Sequence, residues 1–348
     1  MADPDSSKRV TLTQVARAAG VSVMTASYTY NQPSRVSDEA RAKVLAAATE
    51  LGYAGPDPRA RSLRRGTSRA LGVVLGEHLS YAFEDPQAAS FLAGIADVCA
   101  EHGYGMTILP ITGAVDDAAR IRTAAVDAFI VWTTTDDDPV VAAVRAMKLP
   151  AVVHGGPAVP GLGLVSIDNR AAARAVGDAA FAGAKRPAVV SFPLTRDRER
   201  GLISGPDTTR VLFPVTRHRL EGYRQAVEAA GLAWKDVTVA VCRRNDPSEG
   251  ERAAAMLLAG PEPPDAIAAM SDQLAAGVLQ AAHTAHRSVP GDLAVTGWDD
   301  APNAADLGLT TVAQSLRTQG SACAQAVLGQ EAPPDSPWSI VRRRTTRP

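Results

Sequence analysis

At 348 residues, with 46% hydrophobic, 21% charged and 5% aromatic side chains, the chain suits about two domains and is too apolar for a disordered protein. No run approaches the ~18 uncharged apolar residues of a membrane helix, the segment from Met1 to Val10 has charges and no apolar core, and Cys99, Cys242 and Cys323 lie far apart in no metal-type spacing. Membrane, secreted and disulfide-framework proteins are therefore not expected, and a reducing cytoplasm is.

The formal net charge of −1 conceals a division. Residues 1–69 hold eleven Lys/Arg and six Asp/Glu, net +5, so the other 279, with 25 and 31, carry −6. A basic head on an acidic body points to a polyanion that meets the head alone.

Within the head, Leu12, Val15, Ala16 and Ala19 share one helical face, and Thr11 is the expected N-cap. Gly20 stops that helix, and Ser22 caps a second over Val23–Tyr30. After the break at Asn31-Gln32-Pro33-Ser34, Ser37 with Asp38 and Glu39 opens a third helix through about Leu51. Its expected apolar stripe is Val44, Leu45, Ala48 and Leu51, and Gly52 ends it. Two short helices about a glycine turn, buried by a third, form a helix-turn-helix, whose second helix lies in the DNA major groove. A small helical cap on a larger protein is the alternative reading of the same spacing.

The run Val10-Thr11-Leu12, Gln14-Val15-Ala16, Ala19-Gly20-Val21-Ser22, Thr25-Ala26-Ser27 and Asn31 resembles the headpiece of the LacI/GalR family of transcription regulators. So do Val36-Ser37, Arg41, Val44 to Ala48, Leu51-Gly52-Tyr53 and Pro56 to Leu63. The resemblance implies a headpiece over 9–54 and a hinge over 55–69. Thr11, Ser22, Thr25, Ser27, Asn31 and Ser37 are the short hydroxyl and amide groups that would fix register on phosphates. Val23, Met24 and Tyr28 would face base edges. Tyr28 stands where many members carry Arg, the residue that holds guanine in two bonds, so the operator sequence stays open, as does packing of Tyr28 on the third helix. In the family the hinge becomes helical on operator DNA. Leu63, with Ala60 one turn earlier, would then wedge into the minor groove, and that step needs a second copy of the chain.

From Leu71 the pattern changes to short apolar strands alternating with helices, which argues for parallel sheets covered on both faces. Strands are expected at 71–75, 106–111, 126–131, 150–154, 163–167, 187–192, 237–241, 265–270 and 292–296, with helices such as 88–102, 170–182, 219–230 and 273–285. Nine strands suit two lobes. The segments Val165 to Asn169, Arg219 to Tyr223, Ser271 to Gly277 and Val295 to Asp300 resemble the periplasmic-binding-protein-like sensor of the same family, so residues 70–348 are expected to form an effector-binding and dimerisation domain. The segment Pro193–Thr216 has no counterpart and reads as a long surface loop. Arg342-Arg343-Arg344 reads as part of a final edge strand.

Ligands of open α/β sheets lie beyond the carboxyl ends of the strands, and the resemblance implies effector contacts at Arg219 and Asp272. Asp85 and Asp168 are further candidates, with helix capping as their alternative. Trp298 would either contact the effector or pack the lobe. Pro247 and Leu316 stand where some members place an aromatic residue on the effector ring. A sugar is the expected effector.

No Walker loop, dinucleotide fingerprint, G-x-S-x-G elbow or Cys/His pairing is readable, and His283 and His286 read as a solvated helix face. The expectation is a small all-α helix-turn-helix domain joined to a two-lobed α/β sensor. It would be a cytoplasmic homodimer on pseudo-palindromic double-stranded DNA, probing no membrane, needing no cofactor or metal and catalysing nothing. A solute-binding module without operator binding is the rival.

Overall fold

The computed structural model describes residues 10–55, 67–76, 79–113, 116–330 and 336–348, and divides into two compact units between Ser68 and Arg69.

The first unit is built on α1 (Leu12–Ala18), α2 (Val23–Asn31) and α3 (Asp38–Glu50). A hydroxyl caps each of them. Thr11 and Gln14 form a reciprocal capping box, Ser22 accepts from the Thr25 N–H, and Ser37 accepts from the Ala40 N–H. Gly20 follows α1 at φ +67°, a left-handed conformation that a side chain would strain. The core is small: Val15, Ala16, Ala26, Val44, Ala47 and Ala48. Leu45 and Leu51, expected in the apolar stripe of α3, are instead exposed at 41% and 38%. The face that packs is set by Val44, Ala47 and Ala48, because alanines let α3 approach its neighbours closely while the leucines fall beside the seam.

The second unit holds two doubly wound lobes. In the first, β1 (Ala70–Leu75), β2 (Gly105–Pro110), β3 (Ala128–Trp132), β4 (Ala151–His154) and β5 (Gly163–Val165) form an all-parallel sheet in the order β2-β1-β3-β4-β5. Helices α4 (Tyr81–Glu84), α5 (Pro86–His102), α6 (Asp117–Thr123) and α7 (Pro139–Ala146) belong to this lobe. After β5 the chain passes to the second lobe. There α8 (Asn169–Phe181), β6 (Pro187–Ser191), β7 (Gly201–Ser204), α9 (Pro214–Ala229), β8 (Thr238–Val241), α10 (Pro247–Leu258), β9 (Ala266–Ala269), α11 (Asp272–Thr284) and β10 (Ala294–Thr296) build a sheet ordered β10-β9-β6-β8-β7. Only β7 runs antiparallel, against β8. Central strands buried on both sides explain their continuous Val, Ile and Ala composition.

A short helix, α12 (Ala304–Leu307), precedes β11 (Thr311–Gln314). The next helix, α13 (Leu316–Val327), returns to the first lobe, where Cys323, Ala324 and Val327 join the core of α5 and β1. Finally β12 (Trp338–Val341) pairs antiparallel with β11, and Trp338 and Ile340 pack on the second lobe.

The nine expected strands all form, with ends shifted by a residue or two. The segment 193–216 is not a plain loop. It contains β7 and a 3-10 turn at Thr208–Arg210, and α9 begins at Pro214, five residues before Arg219. In the Gly201–Ser204 strand the apolar Leu202 and Ile203 are exposed at 44% and 40%, so edge pairing with β8, and not burial of a hydrophobic face, is what makes it a strand. The expected edge strand at the chain end is β12, which stops just before Arg342. Among the described residues no helix is long and apolar enough to cross a membrane, and no group of side chains could hold a metal ion.

Candidate functional site

The first candidate surface is the exposed start of α2. Val23 and Met24 follow the Ser22 cap at 47% and 64% exposure, the latter high for so apolar a residue. Ala26 and Thr29, on the opposite face, are buried. The Thr25 hydroxyl lies 2.8 Å from that of Ser22, and the Asn31 amide donates to the Ser27 carbonyl at 3.1 Å and hydroxyl at 3.3 Å. Tyr28 is half-buried and carries the Arg35 guanidinium 5.8 Å above its ring; its contact is therefore with the 3-10 turn after α2. Thr11 and Ser37 sit at the starts of α1 and α3, where their hydroxyls cap those helices. Ala60 and Leu63 lie outside the described residues.

The second candidate is a cavity of about 160 Å³ between the lobes of the sensor unit. It is lined where the strands end: Gly76 after β1, Trp132 and Thr133 at β3, His154 and Gly155 at β4, Phe192 after β6, Asn245 after β8 and Asp299 after β10. This is where doubly wound sheets leave room for a ligand, because their loops and helix starts converge there.

Arg219, on α9, is the most constrained of its walls. It is 6% exposed, its Nε donates to Asn169 Oδ1 at 3.0 Å, and its Nη1 donates to the Met270 carbonyl. The guanidinium lies 3.7 Å from the centre of the Trp298 ring and 5.5 Å from that of Phe192, a cation held by ring faces. Burial lowers its pKa to about 10, partly opposed by the nearby Asp299 carboxylate.

Across the cavity, Asp85 caps α5 by accepting from the Gln87 and Ala88 N–H groups at 2.8 and 2.9 Å. Its other oxygen accepts from the Asn245 amide at 2.6 Å, a bond that joins the two lobes. The lobes are also tied at the rim. Arg196 donates to Thr135 at 2.6 Å and to Asp137 at 2.8 Å, and Arg217 pairs with Asp136 at 2.6 Å.

A polar chain runs along one wall. Gln314 donates to Asp299 at 2.8 Å, Gln319 donates to Gln314 at 3.0 Å, and His154 Nε2 lies 2.8 Å from Gln319 Oε1. Since the Gln319 amide nitrogen is spent on Gln314, its oxygen accepts and His154 carries its proton on Nε2. Burial against Phe91 and Trp132, at 4.6 and 5.4 Å, lowers the His154 pKa to about 4 despite the Gln319 bond, so the ring is neutral. Burial likewise raises the Asp299 carboxyl well above the usual carboxylate range, although Arg219 opposes it.

Of the five effector residues expected from sequence, the structure brings Asp85 and Arg219 to the cavity and withholds three. Asp168 is exposed and caps α8 by accepting from the Ala171 N–H at 2.9 Å. Asp272 is buried behind the wall: its oxygens accept from the Thr311 hydroxyl and the Ala301 N–H, each at 2.7 Å, and burial raises its pKa to about 6. Trp298 is wholly buried beneath Arg219 and packs the lobe. Leu316 lines the cavity, whereas Pro247 does not. Sequence reasoning missed His154, Asn169, Asn245, Gln314 and Gln319. His154 and Gln314 end apolar strands, and Asn169 and Asn245 follow strands by four residues, which is a signal the sequence carried; Gln319, inside α13, reaches His154 only through the fold.

Comparison with known proteins bears on both surfaces. Residues 11–55 match the bacterial regulatory proteins of the lacI family, and residues 198–346 match a periplasmic binding protein-like domain. An HTH-type transcriptional regulator of Mycobacterium tuberculosis is 35% identical over 343 residues, covering 97% of this chain and 95% of its own length. Among solved structures, a LacI-family transcriptional regulator from Corynebacterium glutamicum is 28% identical, with a TM-score of 0.73 over 97% of this chain and 98% of its own. A complex of the transcriptional regulator CelR with cellobiose is 25% identical, with a TM-score of 0.65 over 97% of this chain and 100% of its own. The chain therefore belongs to the LacI family of DNA-binding transcriptional regulators, a helix-turn-helix domain joined to a periplasmic-binding-protein-like sensor, and is not an enzyme.

Proposed function

We propose that two copies of the chain repress transcription in the cytoplasm by gripping a pseudo-palindromic operator, and that a sugar-class effector in the inter-lobe cavity controls that grip. The observation that carries the DNA half is the pair Val23 and Met24, apolar yet exposed at the capped start of α2. A recognition helix presents its N-terminal residues to base edges, and apolar side chains there suit thymine methyls. Thr11, Ser22, Thr25, Ser27, Asn31 and Ser37 contribute hydroxyl and amide contacts to phosphates, and Tyr28 a single phenolic hydroxyl. The hinge over 55–69, with Ala60 and Leu63 as minor-groove wedge, falls outside the described residues and rests on the family resemblance.

For the effector half, the support is the cavity at the strand ends, with Arg219 and Asp85 in its wall, and the cellobiose found with the CelR relative. Effector and operator must then change each other's affinity by the same factor.

Binding to a library of mixed palindromes at fixed salt tests the reading. One symmetric sequence is expected to be enriched, and Met24→Ala is expected to change which bases are preferred while leaving the melting temperature within a degree or so. Uniform affinity for every sequence would overturn the operator reading, and absence of DNA binding would leave the solute-binding rival.

A further inference from the structure

We infer that Arg35, which lies outside α2, reads a guanine of the operator, and that Tyr28 is the positioning residue that holds its guanidinium at the groove. This deepens the reading above and rests on α2 being the recognition helix.

The nine residues of α2, Val23 to Asn31, include no charged side chain. Apolar and hydroxyl groups suit thymine methyls and phosphate oxygens, but guanine presents two acceptors, N7 and O6, that a fork of donors matches. The helix itself has no such fork. The described part of the headpiece carries four cations: Arg17, Arg35, Arg41 and Lys43. Arg17 belongs to α1, and Arg41 and Lys43 belong to α3, where Lys43 is paired with Glu39 at 2.8 Å. Arg35 is the cation that rests on α2, its guanidinium 5.8 Å from the centre of the Tyr28 ring.

Helix geometry places that ring. Met24 and Tyr28 are four residues apart, so they share a face and stand about 6 Å apart along the axis. The face is turned away from the core, because Ala26 and Thr29 are the buried residues of α2. A groove that meets Met24 therefore meets the Tyr28 ring one turn further on. Arg35 starts from a set position, at the end of the 3-10 turn Pro33–Arg35, where its N–H donates to the Gln32 carbonyl at 3.0 Å. It is exposed, and among the described residues its guanidinium makes no hydrogen bond or ion pair, so its donors are available. The ring face, within the ~6 Å range of a cation–π contact, limits where they point. With base pairs about 3.4 Å apart, a guanidinium so held reaches a base about two or three pairs from the one under Met24.

Binding of the full chain to a library of mixed palindromes, at low and high salt, tests the inference. The parent chain is expected to enrich a G·C pair in each half-site, about two or three pairs from the position that Met24→Ala alters. Arg35→Gln should lower the preference for that pair about tenfold and leave the other positions as they were. Arg35→Lys, which keeps the charge and loses the fork, should lower it likewise with unchanged salt dependence. Tyr28→Leu should weaken the same preference several-fold, whereas Tyr28→Phe, with the ring and without the hydroxyl, should retain it. Loss of affinity for every sequence alike in Arg35→Gln, with a salt slope lower by about one, would mean a phosphate contact and overturn the inference. Base preferences unchanged in Arg35→Gln, or Tyr28→Phe failing as Tyr28→Leu does, would overturn it too. Each of these results leaves the operator reading intact. A parent chain that enriches no sequence would overturn both.

Discussion

His154 shows how one buried side chain makes stability depend on pH. Its imidazole, between Phe91, Trp132 and Gln319, has a pKa of about 4, and its ordinary value is 6.5. Between those values the unfolded chain binds a proton that the native ring refuses, so stability falls as pH drops from 6.5 toward 4. At 1.36 kcal/mol for each unit, the full loss is about 3 kcal/mol. Asp272 acts in the opposite sense. Burial raises it to about 6, so the native state binds the extra proton below that pH, and this group favours folding on acidification. Urea unfolding at pH 7, 6, 5 and 4.5 should show His154→Phe losing stability less steeply than the parent chain; equal slopes would refute the assignment. At this scale the sequence was half legible. Capping by Thr11, Ser22 and Ser37 follows from side-chain chemistry within one turn of helix. The inward aim of Asp272 does not, because it depends on Ala301 and Thr311, which only the fold brings near.

Among elements, the sensor is assembled from helix pairs that touch backbone to backbone. A Cβ placed on Gly94 of α5 would stand 1.9 Å from the Arg317 carbonyl oxygen of α13, and one on Gly320 of α13 would stand 2.1 Å from that of Phe91. The same reciprocity links α10 with α11, where Gly250 meets Leu274 and Gly277 meets Pro247, each carbonyl oxygen within 2.2 Å of the missing Cβ. Rigid backbone cannot yield to such an overlap. Gly320→Ala should therefore cost about 3 kcal/mol or more, at the upper end for overpacking, and thermal unfolding will read it as a drop of several degrees. An unchanged melting temperature would mean that the helices separate at little cost. The alternation of strands and helices was plain in the sequence because buried parallel strands are continuous apolar runs. The strand at 201–204 was not, because its place is given by β8 and not by its own residues.

For the whole molecule, size separates the two units. The first has six fully packed core residues, four of them alanine, whereas the second has several extensive cores. Small domains bury proportionally less surface and are marginally stable. Scanning calorimetry should show the DNA-binding unit melting first, as a separate transition absent from a fragment of residues 70–348; a single transition shared by both would contradict this. The sensor lobes themselves are tied by Arg196 and Arg217 to exposed Asp137 and Asp136, pairs of the kind worth up to about 1 kcal/mol each. Their joint replacement by alanine should leave the melting temperature nearly constant but weaken effector binding several-fold, since ligand affinity scales with the fraction of molecules in the competent, closed form. Titration calorimetry and small-angle scattering together will show whether affinity falls as the molecule widens.

The row of side chains from His154 through Gln319 and Gln314 to Asp299 has a sense, like a line of people each passing a hand to the next. No single member can turn round alone without setting two donors or two acceptors face to face. The whole row can turn only together, and the reversed order requires Asp299 to give a proton and His154 to receive at Nε2. Burial shifts the Asp299 carboxyl toward its protonated form, which is able to give one. Whatever a bound molecule does to that carboxyl in the second lobe is thus recorded in the tautomer of an imidazole in the first, and nitrogen-15 spectra of His154 with and without effector will read the record.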